Sequence, residues 1–366
     1  GNNSAKYLSS CLDSTWVSSG GKFVNEFSKQ ISEFTGVLHT VPVSSGTSAL
    51  RMALISLNVN AGDEVLVPAF TFVASANSIS HIGATPNFID VEYETLGIDP
   101  PKLEKYLNNK IIYKNNFPIN RDTGAKISAL IAVHVYGNSC NIKEISRICE
   151  KFNINVIEDC AGALGTFIKS GLHYKHVGSF GKVGCLSFNG NKIITTGGGG
   201  AVITNSKESY DKILHLSTTA RLSHKYEIEH DEVGWNERMP NINAALGLSQ
   251  LEIFKKTLKR KKKIYKIYKK YFKNNEMVDF VLHDQYCKSN YWLNSILIKK
   301  DIDACKFKEH LYSELNNLNI QIRAGWKPIN KLKMYQSHPS DDCSNANSIS
   351  SRLINLPSNF FLKTKS

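Results

Sequence analysis

Several features of other protein classes are missing from this chain of 366 residues. No apolar run approaches the roughly 20 residues that cross a bilayer, and the polar start lacks the pattern of a signal peptide. The eight cysteines are scattered, without a Cys-x-x-Cys pair or a metal-ligand spacing, and no internal repeat is present. We therefore expect no membrane span and no metal site, and the cysteine usage predicts a reduced, cytoplasmic location.

The length and composition predict a globular protein with two domains. Hydrophobic residues make up 42% of the chain and charged residues 21%, a balance typical of a folded protein with a large core. We predict a large domain over residues 1–250, followed by a connecting helix and a smaller α+β domain over residues 251–366.

The net charge of +13 raises the question of nucleic-acid binding. Much of the positive charge lies in one run, residues 255–270. Within this run and beside it, apolar residues recur at near-helical spacing, at Leu251, Phe254, Leu258, Ile264, Ile267 and Phe272. The run therefore predicts one long amphipathic helix with a solvated basic face, because no recognition motif or stacking platform accompanies it. We expect no nucleic-acid partner, and a milder effect of the charge is to attract anionic nucleotide substrates.

Predicted strands and helices alternate along the first half of the chain. Apolar runs predict strands at 64–67, 85–89, 128–135 and 155–157. Helical periodicity predicts helices at 47–58, 72–82 and 142–152. This β-α-β order favours a mostly parallel sheet covered by helices on both faces. Beyond the basic helix, the smaller domain is predicted from a strand at 291–298, a helix at 301–318 and a strand at 320–323.

One lysine has an unusual setting. Lys192 belongs to a polar loop between two apolar runs, 184–188 and 201–204, which predict buried strands. An amine that loses hydration can have a lowered pKa, as a Schiff-base lysine requires, and the nearby Ser187 could hydrogen-bond a phosphate. A surface-loop lysine is the alternative. The glycines at 197–200 precede a strand and not a helix, which argues against a dinucleotide-binding loop.

Two further segments carry residues that suit a phosphorylated ligand with a pyridine ring. Residues 44–48, Ser-Ser-Gly-Thr-Ser, come directly before a predicted helix, whose N-terminal amides and dipole favour a phosphate. Asp159 follows a predicted parallel strand at the edge where open α/β sheets bind ligands, and its carboxylate could pair with a protonated pyridine nitrogen. Taken alone, residues 44–48 are better explained as a simple helix cap, and Asp159 could equally cap the segment that follows it.

In their order and spacing, these segments resemble the fold-type I pyridoxal-phosphate enzymes. More closely, the chain resembles the DegT/StrS-type (DegT/DnrJ/EryC/StrS) sugar aminotransferases, and the resemblance covers nearly the whole chain. It rests on the segments 16–20, 45–49, 62–65, 68–75, 134–137, 158–161, 187–192, 234–239, 243–247 and 326–328. It implies an α/β fold like that of aspartate aminotransferase, with a large, mostly parallel sheet domain and a smaller C-terminal α+β domain.

The resemblance also implies roles for individual residues. Lys192 matches the lysine that holds pyridoxal phosphate and shuttles the proton, and Asp159 matches the partner of the pyridine nitrogen. Phe72 matches the aromatic residue that stacks on the ring. The remaining cofactor contacts fall on Gly46, Thr47, Ser48, Ser187, Asn189 and, from the neighbouring subunit, Asn236. Contacts with a nucleotide sugar fall on Trp16, Ser18, Gly20, Arg323 and Trp326.

The implied activity is transfer of an amino group from glutamate to the C4 ketone of a nucleotide-linked 4-keto-6-deoxy sugar. The cofactor would alternate between pyridoxal phosphate and its pyridoxamine form, in a homodimer with shared active sites. Such enzymes serve bacterial amino-sugar and surface-polysaccharide biosynthesis. The Asn-Gly-Asn before Lys192 resembles the branch that aminates C4, while amination at C3 and the identities of nucleotide and sugar stay open.

One position departs from the family pattern. Three residues after Asp159 the family usually carries histidine, glutamine or glutamate close to the cofactor or substrate, whereas this chain has Gly162. The glycine puts one hydrogen bond in question and, together with the lysine-rich helix, leaves open a non-catalytic binding or regulatory protein on the same scaffold. A related dehydratase branch replaces the lysine with histidine, so Lys192 argues against that activity.

Overall fold

The computed structural model describes residues 3–283 and 287–359. The strands of its central sheet are β1 (His39–Val43), β2 (Glu64–Pro68), β3 (Thr85–Ile89), β6 (Ile127–Val133), β7 (Asn155–Asp159), β10 (Val183–Ser187) and β11 (Gly200–Thr204). The other strands are β4 (Ile111–Lys114), β5 (Phe117–Asn120), β8 (Phe167–Ser170), β9 (His173–His176), β12 (Val278–Phe280), β13 (Cys287–Lys288), β14 (Asn294–Ile298), β15 (Arg323–Ala324) and β16 (Leu353–Leu356).

The α-helices of the described residues pack around these strands. They are α1 (Ser4–Asp13), α2 (Lys22–Thr35), α3 (Gly46–Ser56), α4 (Ala74–Ser80), α5 (Pro100–Lys110), α6 (Ile142–Lys151), α7 (Lys207–Ser217), α8 (Asn241–Glu252), α9 (Phe254–Tyr271), α10 (Ala304–Asn317) and α11 (Ser344–Arg352). Within the described ranges, no helix combines the length and the apolar character that a membrane span needs.

The central sheet has the order β1-β11-β10-β7-β6-β2-β3. Neighbours from β10 to β3 run parallel, whereas β11 is antiparallel to both β10 and β1. Every residue of β2 and of β6 is buried, as expected for strands that helices cover on both faces. The predicted mostly parallel α/β fold is therefore confirmed.

Two apolar cores lie on opposite faces of this sheet. One face is covered by helices α2, α3, α7 and α8, which contribute side chains such as Phe27, Leu50 and Ala245. The other face is covered by α5 and α6, through Leu103 and Ile145. Burial of apolar side chains on both faces holds the strands in place, so the loops at their carboxyl ends stand on a rigid base.

A smaller antiparallel sheet, β12-β14-β16-β15, follows the basic helix α9. Its own core contains Val278, Ile296 and Ile354, with residues of α10 packed against it. Part of the chain beyond α9 returns to the central sheet, because the amide of Asp341 donates to the carbonyl of Phe88. The division into 1–250 and 251–366 therefore stays a prediction, and its outermost residues, 1–2 and 360–366, lie outside the described ranges.

Some element boundaries differ from those predicted. The helix predicted from Phe72 begins at Ala74, which leaves Phe72 in the turn before it. The basic helix starts at Phe254, after a break at Ile253 that separates it from α8. The predicted strand 320–323 is wrong apart from its last residue, because β15 is Arg323–Ala324.

Candidate active site

A cleft of about 1820 Å³ opens at the carboxyl ends of the central strands. Residues that end or directly follow four strands line it: Ser44 after β1, His134 after β6, Asp159 in β7 and Ser187 in β10. Helix α9 and the small sheet form its other wall. This is the edge at which open α/β sheets bind ligands.

Lys192 enters the cleft from the loop that joins β10 to β11. Because these strands pair directly, from Gly184 with Ile203 to Ser187 with Gly200, both ends of the loop are fixed. The Lys192 amide donates to the carbonyl of Asn189 at 3.0 Å. Burial lowers the pKa of the Lys192 amine to about 8, although the charge of Asp159 opposes the change. About a tenth of the amine is therefore neutral at pH 7, far more than for an ordinary exposed lysine.

Asp159 is buried at the carboxyl end of β7. Its Oδ2 accepts a hydrogen bond from the Ser75 hydroxyl at 2.8 Å, and its Oδ1 accepts one from the Ala161 amide at 3.0 Å. The Ser75 hydroxyl also lies 3.1 Å from the hydroxyl of Thr71. The carboxylate is thus held in one orientation at the cleft wall, where it can pair with a cationic ring nitrogen.

The N-terminus of α3 forms a cradle beside these residues. Ser44, Ser45, Gly46 and Thr47 line the cleft, and the Ser45 hydroxyl caps the helix by accepting from the Ser48 amide at 3.0 Å. A Cβ atom on Gly46 would lie 2.8 Å from Cβ of Ser187, so only glycine lets β10 approach the helix start this closely. First-turn amides lack intrahelical partners, which makes this cradle suitable for a phosphate.

Two of the predicted cofactor contacts have different surroundings. The Ser48 hydroxyl is buried, lies 2.9 Å from the hydroxyls of both Ser44 and Ser45, and does not line the cleft. Asn189 is exposed and does line the cleft, and its Oδ1 accepts from the Gly190 amide at 2.8 Å. Ser48 therefore acts on the cradle through its neighbours, whereas Asn189 is directly accessible.

Aromatic side chains form another part of the cleft wall. The Phe72 side chain is 55% exposed although it is apolar, and its ring centre lies 6.4 Å from that of Trp326. Trp326 in turn lies 4.4 Å from the ring of Tyr136. An exposed phenyl ring at the mouth of a cleft is available to stack on a flat ligand.

The predicted substrate residues fall into two groups. Arg323 and Trp326 line the cleft of this chain. Trp16, Ser18, Gly20 and Asn236 do not, and all four are exposed. The segment that carries Trp16 is nevertheless ordered by α8, because Asn241 donates through Nδ2 to the carbonyl of Trp16 at 2.6 Å.

A buried polar cluster lies behind the cleft. His134, Glu158 and Cys160 offer ligand atoms close enough together to share a metal ion. Glu158, however, already accepts from the amides of Gly178, Phe180 and Gly181, and its Oε2 lies 2.9 Å from Nε2 of His134. These bonds tie the turn after β9 to β7, which is a sufficient structural role for the cluster.

The sequence reasoning missed several residues of the cleft. Ser75 follows the predicted stacking residue Phe72 by one helical turn, so this spacing could have identified it. Trp292, Lys256 and Lys261 also line the cleft. No local pattern identifies them, because their positions depend on how the chain beyond α8 folds back over the central sheet.

The residues present fit pyridoxal phosphate. The cleft offers an amine for its aldehyde, a fixed carboxylate for its ring nitrogen, an exposed aromatic ring and a helix N-terminus for its phosphate. Together with the strand order, this set of residues defines the class of fold-type I pyridoxal-phosphate enzymes.

Comparison with known proteins is more specific. The model of the DegT/DnrJ/EryC1/StrS aminotransferase family matches residues 1–366, and the chain belongs to this family of pyridoxal-phosphate-dependent aminotransferases. It is 37% identical to GDP-perosamine synthase of Escherichia coli O157:H7, over 96% of this chain and 89% of the relative. It is 33% identical to UDP-4-amino-4,6-dideoxy-N-acetyl-beta-L-altrosamine transaminase of Campylobacter jejuni, over 87% of this chain and 80% of the relative.

Solved structures of aminotransferases of this family have the same fold as this chain. PseC of Helicobacter pylori, an aminotransferase involved in pseudoaminic acid biosynthesis, superposes with a TM-score of 0.86 at 27% identity, over 99% of this chain and 92% of that chain. A family aminotransferase from Brucella abortus superposes with a TM-score of 0.88 at 25% identity, over 99% of this chain and 91% of that chain. The family and fold predicted from the sequence are therefore confirmed.

Proposed function

We propose that this enzyme transfers an amino group from glutamate to the C4 ketone of a nucleotide-linked 4-keto-6-deoxy sugar, for polysaccharide biosynthesis. The observation that carries the proposal is a single cleft containing a half-buried Lys192, the fixed carboxylate of Asp159 and the α3 cradle. Relatives named for 4-amino-4,6-dideoxy sugars and for perosamine, a 4-amino sugar, favour C4 over C3.

Each residue has a defined part in this proposal. Pyridoxal phosphate, when bound, supplies an electron sink that stabilises the negative charge left as a proton leaves carbon. Nζ of Lys192 would accept the proton from the α-carbon of glutamate as a general base, and the resulting ammonium group would donate it to the C4′ carbon of the cofactor as a general acid. Asp159 holds a proton on the ring nitrogen, and the first-turn amides of α3 with the Ser187 hydroxyl bind the phosphate.

Positive charge along the cleft supports a substrate with a diphosphate. Lys256 and Arg260 of α9 and Arg323 of β15 line the same cleft as Lys192. Cations at the mouth of a cleft concentrate anionic ligands and pair well with phosphate oxygens. In this proposal the basic face of α9 binds the nucleotide portion, while the keto group reaches the amine.

A homodimer with shared active sites is part of the proposal. Tyr226, Ile228 and Val233 are all at least 69% exposed, in the segment just before Asn236. Trp16 is 58% exposed as well. A second copy of the chain would cover these apolar side chains and bring Asn236 to the neighbouring phosphate. We also propose a cytoplasmic location, which the scattered cysteines favour.

The test supplies glutamate and a panel of 4-keto- and 3-keto-6-deoxy sugars linked to GDP, UDP or dTDP, and locates the new amine by NMR. The native enzyme should transfer nitrogen to C4 of at least one sugar and show visible absorbance that borohydride bleaches. Lys192→Ala should lose both properties, because it removes the amine. Lys182→Ala, which changes an exposed lysine outside the cleft, should retain them.

Two outcomes would contradict the proposal. Transfer by Lys192→Ala at the native rate would exclude the proposed general base. Absence of visible absorbance and of transfer in the native protein would favour the non-catalytic alternative on the same scaffold. An amine found at C3 would replace the C4 assignment but leave the roles of Lys192 and Asp159 intact.

A further inference from the structure

Trp292 fills the space beside Gly162, which lies in the turn after Asp159. A Cβ atom on Gly162 would lie 2.4 Å from Cε3 and 2.6 Å from Cζ3 of the Trp292 indole. Real Cβ atoms do not approach other atoms so closely, so any larger residue at 162 would displace the indole. The indole therefore occupies the volume that a longer side chain at 162 would use.

Trp292 is held in place by hydrogen bonds on several sides. It is buried, its amide donates to Oδ1 of Asn290 at 2.9 Å, and its carbonyl accepts from Nζ of Lys261 at 2.8 Å. Asn290 is itself tied to the segment after Asp159, because its Nδ2 donates to the carbonyls of Gly162 and Leu164, each at 2.8 Å. The indole thus has a fixed position relative to residue 162.

Trp292 also makes two contacts with the loop of the reactive lysine. Nζ of Lys192 lies 4.0 Å from the centre of the indole ring. Nε1 of the indole donates to the carbonyl of Asn191, the preceding residue, at 2.8 Å. One rigid side chain therefore holds both the backbone beside Lys192 and the end of its side chain.

We propose that Trp292 is a positioning residue for Lys192, and that Gly162 provides the space in which its indole is held. The ring face and the bond to Asn191 direct the amine into the cleft and exclude water from one side of it. This inference rests on the proposed function, in which Lys192 is the reactive amine.

The electrostatics of the cleft agree with this role. An aromatic face attracts the charged form of an amine, whereas burial favours the neutral form. Burial outweighs the charge of Asp159, because the pKa of Lys192 is lowered to about 8. Nζ of Lys261 in α9 donates to the backbone carbonyl of Trp292, and burial lowers the pKa of the Lys261 amine to about 8 as well.

Competitive acylation of the full-length protein, after removal of pyridoxal phosphate, tests the proposal without measuring activity. A small anhydride labels neutral amines, and mass spectrometry of the Lys192 peptide over a range of pH gives the pKa of its amine. In Trp292→Ala, water reaches the amine, its pKa rises, and labelling of Lys192 at pH 7 should fall about tenfold. Trp292→Phe keeps an aromatic face but loses the hydrogen bond to Asn191, so its labelling should lie between that of the native protein and that of Trp292→Ala. The exposed Lys182 serves as the internal control.

A second variant covers the possibility that Trp292→Ala does not fold. Gly162→Ala leaves the tryptophan present but displaces its ring, so it should lower Lys192 labelling in the same direction. The double variant should resemble Trp292→Ala alone, because both changes act on one contact. Unchanged Lys192 labelling in Trp292→Ala, or in Gly162→Ala if the first does not fold, would overturn the proposal. This result would not bear on the proposed aminotransferase activity, which the Lys192→Ala experiment tests separately.

Discussion

The amine of Lys192 can react with an aldehyde only in its neutral form. Burial lowers its pKa to about 8, so the neutral fraction at pH 7 is larger than that of an ordinary exposed lysine. We predict that cofactor-free protein takes up pyridoxal phosphate faster as the pH rises and that the rate levels off above about 8. Visible absorbance followed by stopped flow measures this rate. A rate that keeps rising to about pH 10 would show that Lys192 behaves as an exposed lysine.

Asp159 and Ser75 are predicted to contribute unequally to the reaction. Asp159→Asn keeps the shape of the side chain but removes the charge that holds the ring proton, and we expect a loss in kcat of about a hundredfold or more. Ser75→Ala removes one hydrogen bond to the carboxylate and should cost about tenfold. Steady-state kinetics with glutamate measures both effects. Equal losses would mean that the Asp159 carboxylate cannot act without the hydrogen bond from Ser75.

At the residue scale, local patterns predicted the candidates whose surroundings are near them in sequence. Asp159 sits at the end of an apolar strand and Lys192 lies in a polar loop between two apolar runs, and both settings are visible in the sequence. Trp292 has no comparable signal, because its contact with Lys192 joins two segments that are distant in sequence. The reason for a glycine at position 162 is likewise visible only in the structure, where the Trp292 indole fills the adjacent space.

Among the elements, the turn before α3 depends on a close approach of β11. A Cβ atom on Gly200 would lie 2.4 Å from the carbonyl carbon of Ser45, a backbone atom that cannot move aside easily. We predict that Gly200→Ala destabilises the protein by about 1–3 kcal/mol and weakens the binding of pyridoxal phosphate. Gly198→Ala is the matched control, since a Cβ there meets nothing within 4 Å.

Thermal unfolding and titration with the cofactor measure this effect. The Gly200 variant should have a lower Tm and a larger Kd than the Gly198 variant. Similar values for both would show that the cradle tolerates movement of β11.

Element positions were predicted better than element ends. Hydrophobic periodicity located β3 and the whole of α6, because burial against the sheet produces the period that the sequence displays. Phe72 was wrongly included in a helix, since its apolar side chain fits the helical period although the ring faces the cleft. The break at Ile253 was missed because apolar residues continue on both sides of it.

For the whole molecule, the shared active site predicts complementation between two variants. Lys192→Ala lacks the amine, and Asn236→Asp places a negative charge where the partner's phosphate is proposed to bind. If Asn236 acts across the interface, a hybrid dimer has one site with both native residues. Mixing equal amounts should then restore activity to about a quarter of the sites.

Assays before and after subunit exchange measure the recovery. Each variant incubated alone supplies the baseline. No recovery, despite hybrid dimers seen by native mass spectrometry, would place Asn236 in the same subunit as the lysine that it serves.

The sequence predicted the fold class and the order of its parts but not the whole architecture. Alternation of strands and helices identified the parallel region, because each helix that connects two parallel strands has its own hydrophobic period in the sequence. The antiparallel placement of β11 between β10 and β1 and the hairpins β8–β9 and β4–β5 were not predicted. Short strands that pair after a tight turn depend on few residues, so their periodicity is weak.

Placement of β11 between β1 and β10 also constrains how the protein is made. β1 is made early in synthesis, but among the described residues its neighbour in the sheet is β11, so its backbone remains without this strand until the ribosome has produced residues 200–204. The same strand closes the loop of Lys192. A polypeptide that ends before β11 would therefore expose an unpaired, aggregation-prone strand edge and could not bind pyridoxal phosphate. The appearance of the yellow colour of the bound cofactor would then report that this late, long-range pairing is complete.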